Sequence, residues 1–224
     1  MNATKWILTA AIAAISAAPA PAAFVTSLYG TGLNNDGTAR TNNQTELHYA
    51  MLAGSPVVGT PVVYTDAGGF PVATNWLNDA SSATSRWIAP TTVRNHPAGD
   101  YTFRTTFDLT GFLPGTASIT GKWATDNQGV RIILNGNTVA GTSNGFTAYS
   151  TFNTSNGSFF VAGTNTLDFV VRNFAGGGTN PAGLRVEVTG DATVAAVPVP
   201  PTALLAVVGF WTVGLGRIVR RRRG

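Results

Sequence analysis

From Tyr101 to Leu109 the chain alternates: Tyr101, Phe103, Phe107 and Leu109 fall on one side of an extended backbone, and Thr102, Arg104, Thr106 and Asp108 on the other. A period of two is the repeat of a strand with one buried face, and it argues against an amphipathic helix there. The pattern recurs. Ala117, Ile119 and Trp123 alternate with Ser118, Thr120 and Lys122, then Val130, Ile132 and Leu134 follow. Asn135-Gly136 next to them is a type I′ hairpin signal, because both residues tolerate positive φ. Further strands are predicted at 146–152, 159–161, 166–172 and 184–189, separated by glycine, asparagine, serine and threonine turns that include Gly176-Gly177-Gly178. The stretch 24–100 is less regular, with short strands at Val57-Val58 and Val62-Val63-Tyr64 set off by Pro56 and Pro61, and a polar loop between Trp76 and Trp87. No part of this body sustains a helical period. The expected fold class is all-β, a single antiparallel β-sandwich or jelly roll.

The two ends follow another logic. Lys5, an apolar stretch from Trp6 to Ala18 and the small-residue segment through Ala23 have the order of a secretory signal peptide. Ala20 and Ala22 stand at the spacing a signal peptidase reads for cleavage after Ala22, so the Sec export machinery is an expected partner. At the other end, Val197-Pro198-Val199-Pro200-Pro201 leads into an uncharged apolar run from Thr202 to Gly216, closed by Arg217, Arg220, Arg221, Arg222 and Arg223. That run, roughly fifteen residues against the roughly twenty a spanning helix needs, is short, but terminal arginines reaching to the headgroups extend it. The alternative, a buried C-terminal helix of a soluble domain, must explain an arginine cluster with no acidic residue near it. The expected organisation is a signal peptide at 1–22, a β-sandwich at 23–190, a linker at 191–196 and a membrane-sorting segment at 197–224, with the arginines held on the cytoplasmic side.

Setting the ends aside changes what charge implies. The chain carries a formal +4, but from Ala23 to Ala196 there are 8 lysines and arginines against 10 aspartates and glutamates. The body is slightly acidic, and a nucleic-acid partner loses its support. With 0 cysteines, disulfides, thiolate metal sites and cysteine nucleophiles are excluded.

The tail resembles the PEP-CTERM sorting signal of exopolysaccharide-producing Gram-negative bacteria: a proline motif (Val197, Pro198, Val199, Pro200), a transmembrane helix and a basic cluster. It departs from that family at Val199, where glutamate is usual. The resemblance implies recognition by an exosortase-type membrane peptidase, an inner-membrane anchored intermediate, and final release or attachment to the cell envelope or extracellular matrix of a biofilm. The segments 85–90, 101–109, 121–127, 133–136 and 165–171 resemble recurring blocks of a domain found in many such proteins. That likeness implies a galactose-binding-like β-sandwich and no settled activity.

Chemistry-bearing motifs are sparse. Gly141-Thr142-Ser143-Asn144-Gly145 matches the G-x-S-x-G nucleophile pattern, yet it lies in a run of loop-forming residues without the strand before and helix after that the motif requires. The histidines are His48 and His96, too few to suggest a zinc site, and no carboxylate pair stands out. No catalytic residue is assigned, and a non-enzymatic protein is expected. Binding is the stronger alternative. Trp76, flanked by Asn75 and Asn78, and Tyr149 could stack on and hydrogen-bond a sugar, whereas Trp87 and Trp123 read as core. Asp126 and Asn127 could offer oxygens to calcium, the one cofactor contemplated, or could form an Asx-turn, and Asp36 carries the same pair of readings. The expected role is structural or adhesive in the envelope or exopolysaccharide matrix. A carbohydrate-binding module, with or without calcium, is the alternative, and a hydrolase with an unrecognised site comes third.

Overall fold

The computed structural model describes residues 21–196. The signal-peptide and sorting-segment expectations, from the Ala20 side of the cleavage site to the arginine cluster, lie outside the described residues. Eleven strands follow in order: β1 (Ala22–Phe24), β2 (Tyr49–Met51), β3 (Val62–Tyr64), β4 (Trp87–Ala89), β5 (Gly99–Asp108), β6 (Ser118–Asp126), β7 (Gln128–Leu134), β8 (Asn137–Ala140), β9 (Ser150–Thr154), β10 (Thr164–Asn173) and β11 (Gly183–Thr193). Among the described residues no helix is long and apolar enough to cross a membrane.

The strands form two antiparallel sheets. One runs β3-β4-β11-β6-β9, with β1 also paired to β11; the other runs β2-β5-β10-β7-β8. The period-two residues decide what lies between them. Tyr101, Phe103 and Phe107 of β5, Leu167, Phe169 and Val171 of β10, and Ile132 and Leu134 of β7 meet Ile119 and Trp123 of β6, Phe152 of β9 and Val186 of β11 in one core. Phe169 is its centre, with ring centroids 5.9 Å from Trp123 and 5.8 Å from Phe152. The hairpin between β7 and β8 turns on Asn135 (φ 47°) and Gly136 (φ 85°), the left-handed pair that the sequence requires. Asn135 also reaches across the sheet: its Nδ2 donates to the Asn165 Oδ1 at 2.7 Å and its Oδ1 accepts from the Thr166 N–H at 2.9 Å.

A second, smaller core lies on the opposite side of the β3–β4 strands. Residues 65–86 fold back over the sheet, and Trp76 packs tilted against Trp87 (4.3 Å) and stacked against Tyr64 (6.1 Å) beside Val72, Ala89 and Ala124. Arg185 of β11 pins this cover. Its guanidinium is fully buried and donates to the carbonyls of Leu77, Asn78, Ser82 and Ser85 and to the Ser85 hydroxyl.

Four sequence expectations need correction. Val57-Val58 is not a strand: Pro56 has no N–H to give, and only a single bridge, Met51 to Gly59, forms beside it. The 146–152 strand begins only at Ser150, because the preceding backbone is spent on side chains and loops, as where Asn144 N–H meets Ser150 Oγ at 2.7 Å and the Phe146 carbonyl meets Leu77 N–H at 2.9 Å. Residues 159–161 are not a strand: Phe159 ends a 3-10 turn, Gly157–Phe159, in which the Ser158 N–H is met by the Asn156 side chain. Finally, 191–196 is not a free linker. β11 runs to Thr193, paired with β1 on one edge and β6 on the other, and Val194 bridges Phe112.

Candidate functional site

The outer face of the six-stranded sheet carries alternate residues of β6, β9 and β11 that the core does not use: Thr120 and Lys122, Thr151, Glu187 and Thr189. Between them lies an open groove of about 250 Å³. It continues over Val188 into a second lobe of about 310 Å³ walled by Leu28, Tyr29, Leu33 and Thr84. Glu187 and Thr189 border both lobes, so the two form one trough across β11.

The trough is rich in hydroxyls and has one ion pair in its floor, Lys122 Nζ to Glu187 Oε2 at 3.2 Å. Burial alone would raise the Glu187 carboxyl, but serine hydroxyls and the Lys122 ammonium donate to it and hold it below the ordinary range. Lys122 Nζ also sits 4.5 Å above the Tyr149 ring, whose hydroxyl lies 3.3 Å from Ser85 Oγ. Burial pushes that phenol's pKa up. At the other end of the trough Tyr29 is stacked flat on His48, with centroids 3.8 Å apart. Tyr29 therefore borders one end of a hydroxyl-lined floor with opposed, paired charges, and Tyr149 lies beneath the Lys122 of that floor.

The structure separates the residues singled out from sequence. Tyr149 is at the trough. Trp76 is not an exposed sugar platform: it is 5% exposed, packed between Tyr64 and Trp87, and its Nε1–H donates to Asp126 Oδ2 at 2.9 Å. Its amphipathic ring found an apolar face and a buried acceptor, which outweighs the polar neighbours that suggested exposure. Asn78 caps the 3-10 turn Asp79–Ser81, and Asn75 is exposed on the cover. Trp87 and Trp123 are core, as their neighbours predict.

Asp126 is also corrected. It is 3% exposed, at the end of β6 rather than in a solvated loop, and its second oxygen accepts from Asn127 Nδ2 at 2.9 Å. Asn127 Oδ1 in turn accepts from the Phe174 N–H at 2.6 Å. The oxygens that sequence offered to calcium are thus engaged by the fold, and burial pushes the Asp126 carboxyl up to about 6. Among the described residues no group of three or more histidines and carboxylates gathers. Asp36 makes the Asx-turn, accepting from the Thr38 N–H at 2.9 Å.

Ser143 is a hub of the turn. Its Oγ accepts from Gly129 N–H at 3.0 Å and pairs with the Thr125 hydroxyl, while His96 lies in another loop. His96 itself is buried, with Nδ1 accepting from Ala182 N–H at 3.1 Å and Nε2 3.3 Å from Thr91 Oγ1. Burial pulls its pKa down to about 4. Sequence reasoning missed the trough because its members come from five separate segments; the one legible trace was the polar half of each alternation. No family model, curated protein or solved structure matches this chain.

Proposed function

We propose that this protein is an exported, membrane-sorted domain with a structural or adhesive role in the cell envelope or exopolysaccharide matrix, and that it works without catalysis by holding glycan in the trough over β6, β9 and β11. The observation that carries the reading is the trough itself, open, hydroxyl-rich and bordered by Tyr29, with Tyr149 beneath its Lys122. Sugar rings stack on aromatic faces, and threonine hydroxyls exchange hydrogen bonds with water and with sugar hydroxyls at little difference in energy. The two antiparallel sheets support the finer assignment to a galactose-binding-like jelly roll. The reading takes no calcium through Asp126, whose oxygens are already bonded.

On this proposal the leader through Ala22 is removed on export. An exosortase-type peptidase then cuts at Val197–Pro200, leaving the arginines in the inner membrane. Mass spectrometry of the mature protein tests the sorting half: a C-terminus near Pro198 supports it, and an intact Arg223 on the surface-exposed form overturns it. Retention on immobilised polysaccharides tests the binding half, comparing the parent chain with Thr151→Lys and Thr189→Lys. Both threonines are exposed, so these changes fill the trough without touching the core. Retention that both variants abolish supports glycan holding. Retention that neither variant weakens excludes the trough.

A further inference from the structure

Both ends of the described chain leave the sandwich at one place. In β1, Ala22 lies opposite Thr193 and Phe24 opposite Asp191. Val194 N–H donates to the Pro21 carbonyl at 3.3 Å; on the other side of the same strand, Leu113 N–H meets the Thr193 carbonyl at 2.8 Å and Ala195 N–H meets the Gly111 carbonyl at 2.8 Å. The three segments make a small three-stranded rim, and the chain continues from it toward the uncharged run that begins at Thr202.

The rim is apolar where alternation turns it outward. Ala192 is fully buried and Phe112 packs on the core, so the residues next to them along each strand, Asp191 and Leu113, face away from it, and Phe24 shares the Asp191 side through its register. On that outward face Phe24 is 77% exposed and Leu113 45%. The Asp191 carboxylate opposite Phe24 accepts from the Ser118 hydroxyl at 3.1 Å on the far strand. Large apolar side chains this exposed on one face at the tether point are the pattern of an interfacial contact.

We propose that this rim faces the bilayer, with Phe24 and Leu113 seated among the lipid headgroups while the C-terminal segment is anchored. The inference rests on the anchor reading above and adds which surface of the domain meets lipid. Tether length supports it. Five residues separate Ala196 from Thr202, a reach of at most about 20 Å. The opposite end of the sandwich, where β11 starts at Gly183, is about 33 Å away along that strand. With so short a tether the rim is held near the membrane and the far end cannot replace it.

The absence of cysteine makes the test direct. Chains beginning at Ala23, with the leader removed, and carrying Phe24→Cys, Leu113→Cys, Gly177→Cys at the far end or Val207→Cys in the apolar run are labelled with an environment-sensitive fluorophore. They are then reconstituted in vesicles of phosphatidylethanolamine and phosphatidylglycerol containing a lipid-borne quencher near the headgroups. The expected result is loss of emission at 24 and 113, blue-shifted relative to 177, and no loss at 177. Emission at 24 and 113 no more quenched than at 177, with 207 quenched, overturns the rim and leaves the anchor standing. An unquenched label at 207 sinks the anchor reading and the rim with it.

Discussion

Replacing Asp126 with asparagine is expected to turn a nearly level dependence of stability on pH into a steep one. Two buried groups oppose each other. Burial raises the Asp126 carboxyl from 3.8 to about 6 in the folded chain, so the stability it contributes is complete below 3.8 and is lost as pH rises to 6. Burial lowers the His96 imidazole from 6.5 to about 4, so its contribution is complete above 6.5 and is lost as pH falls to 4. At about 1.4 kcal/mol per unit of displacement, each amounts to about 3 kcal/mol, with opposite sign, over nearly the same window. Glu46, which burial also raises, adds to the Asp126 side and is common to every variant. Carboxylates held low by hydrogen bonds and ion pairs, Asp36, Asp100 and Asp108, act below about pH 4.

Urea unfolding followed by tryptophan fluorescence between pH 4 and 6.5 reads the difference. In Asp126→Asn the histidine limb is opposed only by Glu46, and stability should climb across the window by up to about 3 kcal/mol. A pH-independent offset accompanies it, because the new amide faces the Asn127 Nδ2 that donated to the carboxylate. His96→Gln should show the mirror image, falling as pH rises, and the double variant should return to level. A single variant with the parent's flat profile would refute the pairing of these two groups.

Other consequences are equally direct. Arg185→Ala strips donors from four carbonyls, those of Ser82 and Ser85 buried, and should cost about 3 kcal/mol or more in the same unfolding assay, releasing the 65–86 cover first by hydrogen exchange. Gly129→Ala places a Cβ against the Trp123 ring and 2.7 Å from Ser143 Oγ, and should destabilise by about 1–3 kcal/mol with a changed near-ultraviolet dichroism. The cross-strand pairs Arg104–Asp168 and Arg172–Asp100 share one bidentate geometry but not one exposure: the Asp168 side chain is 10% exposed and that of Asp100 39%. Double-mutant cycles should give a coupling near 1 kcal/mol for the first and a weaker one for the second, both shrinking with salt.

Much of this architecture was legible locally. β5, β6, β7, β10 and β11 sit where the period of two predicts them, because a half-buried strand can satisfy its neighbours in only one alternation. The Asn135-Gly136 turn was equally plain, since few other pairs adopt its backbone. Trp76 was misread for the opposite reason: its neighbours in sequence are asparagines, while its neighbours in space are Tyr64, Trp87 and the Asp126 carboxylate. The trough was invisible in the same way, its tyrosines lying 120 residues apart in the chain.

Residue pattern alone dictated that this body is built of strands, which side of each strand is apolar, and that apolar, uncharged segments flank it. Those properties depend on nearest neighbours along the chain, where side-chain chemistry and backbone period act directly. Only the tertiary structure decided that residues 65–86 cover the sheet, that β11 runs on to Thr193 beside β1, and that Tyr29 borders a trough whose Lys122 covers Tyr149. Each of these follows from which distant strands pair and which buried polar groups find partners. That is a choice among long-range contacts, and no short window of sequence encodes it.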